Sequence, residues 1–163
     1  MIIDEITEFA KYLESIDKSN LTIISYKNDI QLFAKWFEKY NKYSCIIDKI
    51  SSNDIVVYKE YLIKKDSKIS TINRKISSLK YFVMWAWEMQ KIDNIIKFPK
   101  PMKNTARKIK CLSKDEQREL IWHFERRTNY RDAAIIKILL YTGIRVGELC
   151  NLKWKDINIA NGS

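Results

Sequence analysis

Apolar residues return every three or four positions through most of this chain, the spacing that aligns them on one face of an α-helix. Ile6, Phe9, Ala10 and Leu13 predict a first helix, and Ile23, Tyr26, Ile30, Phe33 and Phe37 a second. Ile55, Tyr58 and Leu62 predict a third, opened by Ser51 or Ser52 as its cap. Ile72, Ile76, Leu79, Val83 and Ala86 predict a fourth, with Ser70 or Thr71 in the capping position. Four amphipathic helices on short connections bury their apolar faces against one another, so residues 1–96 are expected to form a compact all-α bundle. The 163 residues hold three Gly and two Pro, too few compulsory turns for a turn-dense β-sandwich or a low-complexity linker.

The pattern changes at residues 97–110, KFPKPMKNTARKIK. Lys97, Lys100, Lys103, Arg107, Lys108 and Lys110 share this stretch with both prolines and no acid. Pro99 and Pro101 disfavour helix at the residues before them, so an extended basic connection is expected. Like charges this dense repel one another unless a polyanion lies alongside. Residues 111–163 open a second domain. Ser113 and Glu116 form a capping-box signature for a fifth helix carrying Leu120, Ile121 and Phe124. A sixth helix is expected to bury Ala134, Ile135, Ile138, Leu139 and Thr142, with Gly143 as its stop. Ile157 and Ile159 alternate with polar residues, and Asn161-Gly162 favours a hairpin turn, so this domain is expected to be mixed α+β. A hairpin turn one residue before the end leads to the expectation that the chain is a fragment.

Composition narrows the function. A net charge of +10 suits a polyanionic partner. The acidic start, with Asp4 and Glu5, is unlike a secretory signal, and the apolar run Ala133–Tyr141 is short and broken by Lys137, so no membrane association is expected. Cys45, Cys111 and Cys150 are odd in number and far apart, and there is one His. Neither a disulfide framework nor a metal site is expected, and the location is expected to be cytoplasmic.

The stretch richest in chemistry is Leu139–Ile157. Arg145 follows the Gly143 stop by two residues, and Glu148 lies three further on, within reach of its guanidinium on a helix. On spacing alone this is an ordinary surface pair. The ordered run Thr142-Gly143-Ile144-Arg145-x-x-Glu148-Leu149, then Leu152, Trp154 and Asp156-Ile157, resembles the first box of the tyrosine recombinases, the phage-integrase family. The first half resembles that family's core-binding domain, a four-helix SAM-like bundle. The matching pieces are Thr22-x-x-x-Tyr26, Leu32-Phe33-x-x-Trp36-Phe37 and the run from Ser70 to Lys80, STINRKISSLK. One departure is Phe98 before Pro99, where the family often has Asn.

The resemblance implies DNA strand exchange through a covalent phosphotyrosine, with no metal or other cofactor and no small-molecule substrate. It gives Arg145 the catalytic role of stabilising charge on the non-bridging phosphate oxygens, and Glu148 that of orienting it. The family's Lys, His-x-x-Arg pair and Tyr nucleophile follow this Arg and have no counterpart here, so this chain alone is expected to be inactive. His123-x-x-Arg126 fits the pair literally but precedes Arg145, and it reads as the surface of the fifth helix. Double-stranded DNA is the expected partner, contacted by Ser70, Thr71, Arg74, Lys75 and Lys80 on the fourth helix. Lys100, Lys103, Arg107 and Lys108 of the connection are expected to join them. Full-length recombinase protomers are a further expected partner. Trp36, Trp85, Trp87 and Trp122 read as packing residues. Two other readings stay open: a naturally truncated DNA-binding regulator of a recombinase, and a helical protein-interaction module.

Overall fold

The computed structural model describes residues 2–103, 110–126 and 129–157. The helices are α1 (Ile2–Ser15), α2 (Asn20–Asn41), α3 (Ser52–Lys64), α4 (Ile69–Glu88), α5 (Lys114–Arg126), α6 (Tyr130–Thr142) and α7 (Val146–Asn151), with short 3₁₀ turns at Ile47–Lys49 and Trp154–Asp156. No strand occurs among the described residues, and α1 to α4 form the all-α bundle expected of residues 1–96. Ile159 and the Asn161-Gly162 turn lie outside the described residues. The chain divides into two units, Met1–Ala106 and Arg107–Ser163.

The first unit is built by the apolar faces read from the sequence. Ile6, Phe9, Ala10 and Leu13 are buried on α1, Ile23, Ile30, Phe33 and Phe37 on α2, Ile55, Tyr58 and Leu62 on α3, and Ile72, Ile76, Leu79, Val83 and Ala86 on α4. Phe9 is fully buried, with the rings of Phe82 and Trp85 each 5.3 Å away and Tyr81 at 5.9 Å. Truncating such a side chain to Ala removes dispersion contacts on every side and costs about 3–5 kcal/mol. A second ring cluster joins Phe33, Trp36 and Tyr58 where α2 meets α3.

The helix ends explain how so few glycines suffice. Asp17, Lys42, Asp66 and Gln90 all adopt positive φ, between 53° and 64°, just beyond the four bundle helices. After three of these helices the next N–H reaches back over the last turn: Lys18 to the Leu13 carbonyl (3.0 Å), Ser67 to Leu62 (3.2 Å) and Lys91 to Ala86 (2.8 Å). This is the left-handed helix stop that glycine usually supplies. At the N-termini, Ser19 caps α2 and Ser51 closes a reciprocal box with Asp54 on α3. The expected cap of α4 needs correction. Its N-cap is Lys68, with no side-chain hydrogen bond, and Ser70 and Thr71 lie inside the first turn. Lys68 already has extended backbone angles and Ile69 is helical, so the helix starts before either hydroxyl can cap it.

The prolines sit in chain that packs on the bundle. Ile92 is buried, and Ile96, Phe98 and Met102 pack against the core. The Lys97 N–H donates to Ser52 Oγ (2.9 Å), and Lys59 Nζ donates to the Lys100 carbonyl (2.8 Å).

In the second unit, Ser113 and Glu116 form the expected box, with Ser113 N–H donating to Glu116 Oε2 at 2.7 Å. Lys137 and Glu125 tie α6 to α5. Leu120, Ile121 and Phe124 are half-buried. On α6, Ile135, Ile138 and Leu139 are half-buried on the expected side, but Ala133 is the buried alanine, and Ala134 and Thr142 are exposed. The Thr142 hydroxyl instead donates to the Ile138 carbonyl and accepts from the Ile144 N–H. Gly143 ends α6 at φ 66°, as expected.

Candidate nucleic-acid interface

On α4, Ser70, Asn73, Arg74, Ser77 and Lys80 recur at steps of three and four opposite the buried face, forming an outward stripe. Two of these residues are already engaged inside the protein. Arg74 Nη1 donates to Oδ2 of Asp29 and to Ser25 Oγ (2.9 Å) on α2, and Ser78 Oγ also donates to Asp29 Oδ2 (2.8 Å). Asp29 is 2% exposed, so its carboxylate depends on these donors in place of water. The Arg74 side chain keeps 48% of its surface open, so it holds the bundle together while facing solvent. Asn73 binds the backbone of Met102 with both ends of its amide, accepting from N–H at 2.9 Å and donating to C=O at 2.8 Å.

Through that clamp, residues 98–101 run beside α4. Lys59, Lys80 and Lys100 surround a cleft of about 310 Å³ there, lined by no acid. Lys100 and Lys103 are exposed, while Arg107 and Lys108 lie outside the described residues. The structure splits the expected set on α4. Ser70, Arg74 and Lys80 share the outward stripe, whereas Thr71 is half-buried and Lys75 lines a separate groove with Leu32, Trp36 and Tyr61. Sequence reasoning missed Asp29, Asn73 and Lys59. Asp29 carried a signal, since it sits beside Ile30 and between Tyr26 and Phe33 on an otherwise apolar face.

In the second unit, Arg145 is the N-cap of α7 and starts just beyond the left-handed turn at Gly143. Its N–H donates to Glu148 Oε2 (2.9 Å) and its Nη1 to Glu148 Oε1 (3.2 Å). The carboxylate therefore holds both the backbone and the guanidinium of the same residue. The Arg145 side chain remains 84% exposed. His123 and Arg126 lie on the exposed face of α5, with the Arg126 guanidinium 4.5 Å from the Trp122 ring centre. Of the four tryptophans expected to pack, Trp36 and Trp85 are buried, but Trp87 and Trp122 are exposed. Trp87 falls on the outer side of the last turn of α4, and Trp122 on the solvent side of α5. Among the described residues no helix is long and apolar enough to cross a membrane.

Two family models match the chain: the phage integrase N-terminal SAM-like domain over residues 6–90, and the phage integrase family over residues 110–163. The tyrosine recombinase XerC of Staphylococcus epidermidis is 30% identical, over 96% of this chain and 53% of its own length. The TnP I resolvase of Bacillus thuringiensis is 26% identical, over 98% of this chain and 57% of its own. The chain thus spans about half the length of the curated relatives it matches. Among solved structures, the Tn1549 transposon integrase in complex with circular intermediate DNA aligns with a TM-score of 0.67 at 21% identity. That alignment covers 96% of this chain and 52% of the integrase, and it agrees with the helical fold described above. With the SAM-like bundle in the first unit and the Arg145 box in the second, the chain belongs to the phage integrase family of tyrosine recombinases.

Proposed function

We propose that this chain is the DNA-holding N-terminal part of a site-specific tyrosine recombinase, acting on DNA inside the cell. The observation that carries this reading is the outward stripe of α4 together with the docked basic segment beside it. Lys59, Lys80 and Lys100 converge on one acid-free cleft, a surface suited to the phosphates of a duplex. The solved relative named above was captured with DNA, which supports the same reading.

Arg145 is proposed as the catalytic arginine. A planar guanidinium donates parallel hydrogen bonds to two non-bridging oxygens and stays charged at any working pH. Glu148 is its positioning residue, because it holds the Arg145 backbone and side chain at once. Arg145 is the one residue here that matches the family's catalytic set. The 163 residues alone are therefore expected to bind DNA without cutting it, while strand exchange is proposed for the protein carrying the complete set.

The test is a titration of this chain with duplex DNA across a range of salt concentrations, beside a Lys80→Gln, Lys100→Gln, Lys103→Gln variant. Binding that weakens with salt, with a shallower slope in the variant, supports the proposal. Absence of binding at low salt overturns it. A second reading, contact with another recombinase protomer, is favoured by one observation: Met84, Trp87 and Ile95 form an exposed apolar cleft at the end of α4.

A further inference from the structure

A groove of about 630 Å³ lies where α2 and α3 meet the start of α4. Its floor is apolar. Leu32, Trp36 and Tyr40 follow one another at steps of four along α2, and Tyr61 of α3 joins them with its ring centre 6.0 Å from that of Trp36. The Tyr40 ring stacks on Trp36 at 5.3 Å, and Leu32, Tyr40 and Tyr61 all stay exposed to solvent. The rim is cationic. Lys35 and Lys39 form a second row on α2, Lys65 beyond α3 holds its Nζ 5.6 Å from the Tyr61 ring centre, and Lys75 comes from α4. None of the lining residues is acidic, and the ion pairs of the described residues include none of these four lysines.

We propose that this groove docks an acidic, amphipathic segment of a partner protein, whose Asp or Glu side chains meet the lysine rim while Leu or Phe side chains sit on the floor. The inference goes beyond the DNA-binding reading and does not depend on it. Charge complementarity sets the sign of the occupant, since four lysines around one groove repel one another and the fold supplies no counter-charge there. The floor sets its class. A duplex keeps its bases stacked inside and offers a groove sugar and phosphate, which leaves Leu32, Tyr40 and Tyr61 without an apolar partner. A peptide carries carboxylates and apolar side chains on one strand, and exposed tyrosines in a concave surface are the usual anchors of protein interfaces. The rows on α2 also set the spacing. Leu32, Trp36 and Tyr40 stand about 6 Å apart along the helix axis, so the occupant needs apolar side chains one helical turn apart, with its acids on the flank that meets Lys35 and Lys39.

The experiment titrates three proteins with fluorescent peptides: the unaltered chain, a rim variant (Lys35→Gln, Lys39→Gln, Lys65→Gln) and a floor variant (Leu32→Ser, Tyr40→Ser). The main probe is a short peptide with Leu and Phe one helical turn apart among Asp and Glu, and polyglutamate of the same length is its control. The amphipathic peptide should bind the unaltered chain more tightly than polyglutamate does, and its affinity should fall about tenfold in each variant. Replacing the three rim lysines by Arg should restore binding, which separates lost charge from lost folding. No binding of the amphipathic peptide, equal binding of polyglutamate, or an unchanged affinity in the floor variant overturns the inference. Duplex DNA is titrated beside the peptides. If its affinity falls in the floor variant as the peptide's does, the groove takes nucleic acid and the inference is overturned; if the floor variant leaves DNA binding unchanged, the inference is supported. A chain that binds the peptide and no DNA sinks the DNA-binding reading and leaves this one standing.

Discussion

The Asn73 side chain on α4 pairs with the backbone of Met102 as a neighbouring strand would, giving one hydrogen bond and receiving one. The chain between Ile96 and Met102 is held by this amide and by the packing of Phe98, so the basic segment is fixed on the bundle up to that point. Replacing Asn73 by Ala leaves a half-buried N–H and C=O without partners, a loss of about 1–2 kcal/mol. Hydrogen exchange should speed up in residues 97–103 while the cores of α1 and α2 stay protected. Equal exchange in both proteins would mean that the apolar contacts alone dock the segment.

Arg74→Ala should destabilise the first unit by about 2–4 kcal/mol, because it strands the buried Asp29 carboxylate with only the Ser78 hydroxyl. Ser78→Ala should cost less, since the guanidinium remains. Asp29→Asn combined with Arg74→Ala should recover part of the loss, as removing the buried charge removes the need for its partner. Urea unfolding of the three proteins gives this comparison directly. Any DNA-binding defect of Arg74→Ala has to be read beside its stability.

The helix ends make an opposite pair of predictions. Gln90→Gly and Asp66→Gly should each stabilise the bundle by up to about 1 kcal/mol, since glycine adopts positive φ without Cβ strain. Gly143→Ala should destabilise the second unit by about 1 kcal/mol. The added Cβ at Gly143 would meet nothing within 4 Å, so its cost comes from φ +66° and not from crowding. Gly147→Ala, on α7 and equally uncrowded, should be neutral or mildly stabilising. Thermal melts of the four variants test the set.

Burial, reinforced by the nearby carboxylates of Glu38, Asp54 and Glu5, pushes the Cys45 thiol up to about 12. A folded-state value above the unfolded one, about 8.5, means that the folded chain holds this proton more tightly. The associated stability is complete below that unfolded value and is lost as pH rises toward the folded one. Unfolding free energy should therefore decline in that alkaline window, and Cys45→Ala should flatten the decline while lowering stability throughout. Under native conditions a thiol reagent should label the exposed Cys111 and Cys150 and spare Cys45. Rapid labelling of all three would show that the bundle opens readily.

Periodicity made the bundle legible, because α1 to α4 each bury one face and leave the other wet. Local signals with a fixed offset were legible too: the Ser113–Glu116 box, the Gly143 stop, and the Arg145–Glu148 pair three residues apart. What stayed hidden depends on contacts between distant residues. Asp29 reads as an acid misplaced on an apolar stripe until Arg74, 45 positions on, is seen to neutralise it. The Met102 backbone carries no side-chain pattern that could announce its pairing with Asn73. The lysine groove draws on α2, the end of α3 and α4, so no single window of sequence contains it. The exposed Trp87 and Trp122 misled in the other direction, since large aromatic residues usually end in cores.

The division of work along α4 bears on how the surface proposed to meet DNA could be varied. Asn73 and Arg74 are tied to the chain's own parts, so changing either disturbs the scaffold before it alters what the scaffold touches. Ser70, Ser77 and Lys80 share the same outward stripe but carry none of those internal bonds. A library varied at these three positions, with Asn73, Arg74, Ser78 and Asp29 held constant, can explore new contacts from an unchanged frame. Adaptability and rigidity thus alternate along a single helix, residue by residue.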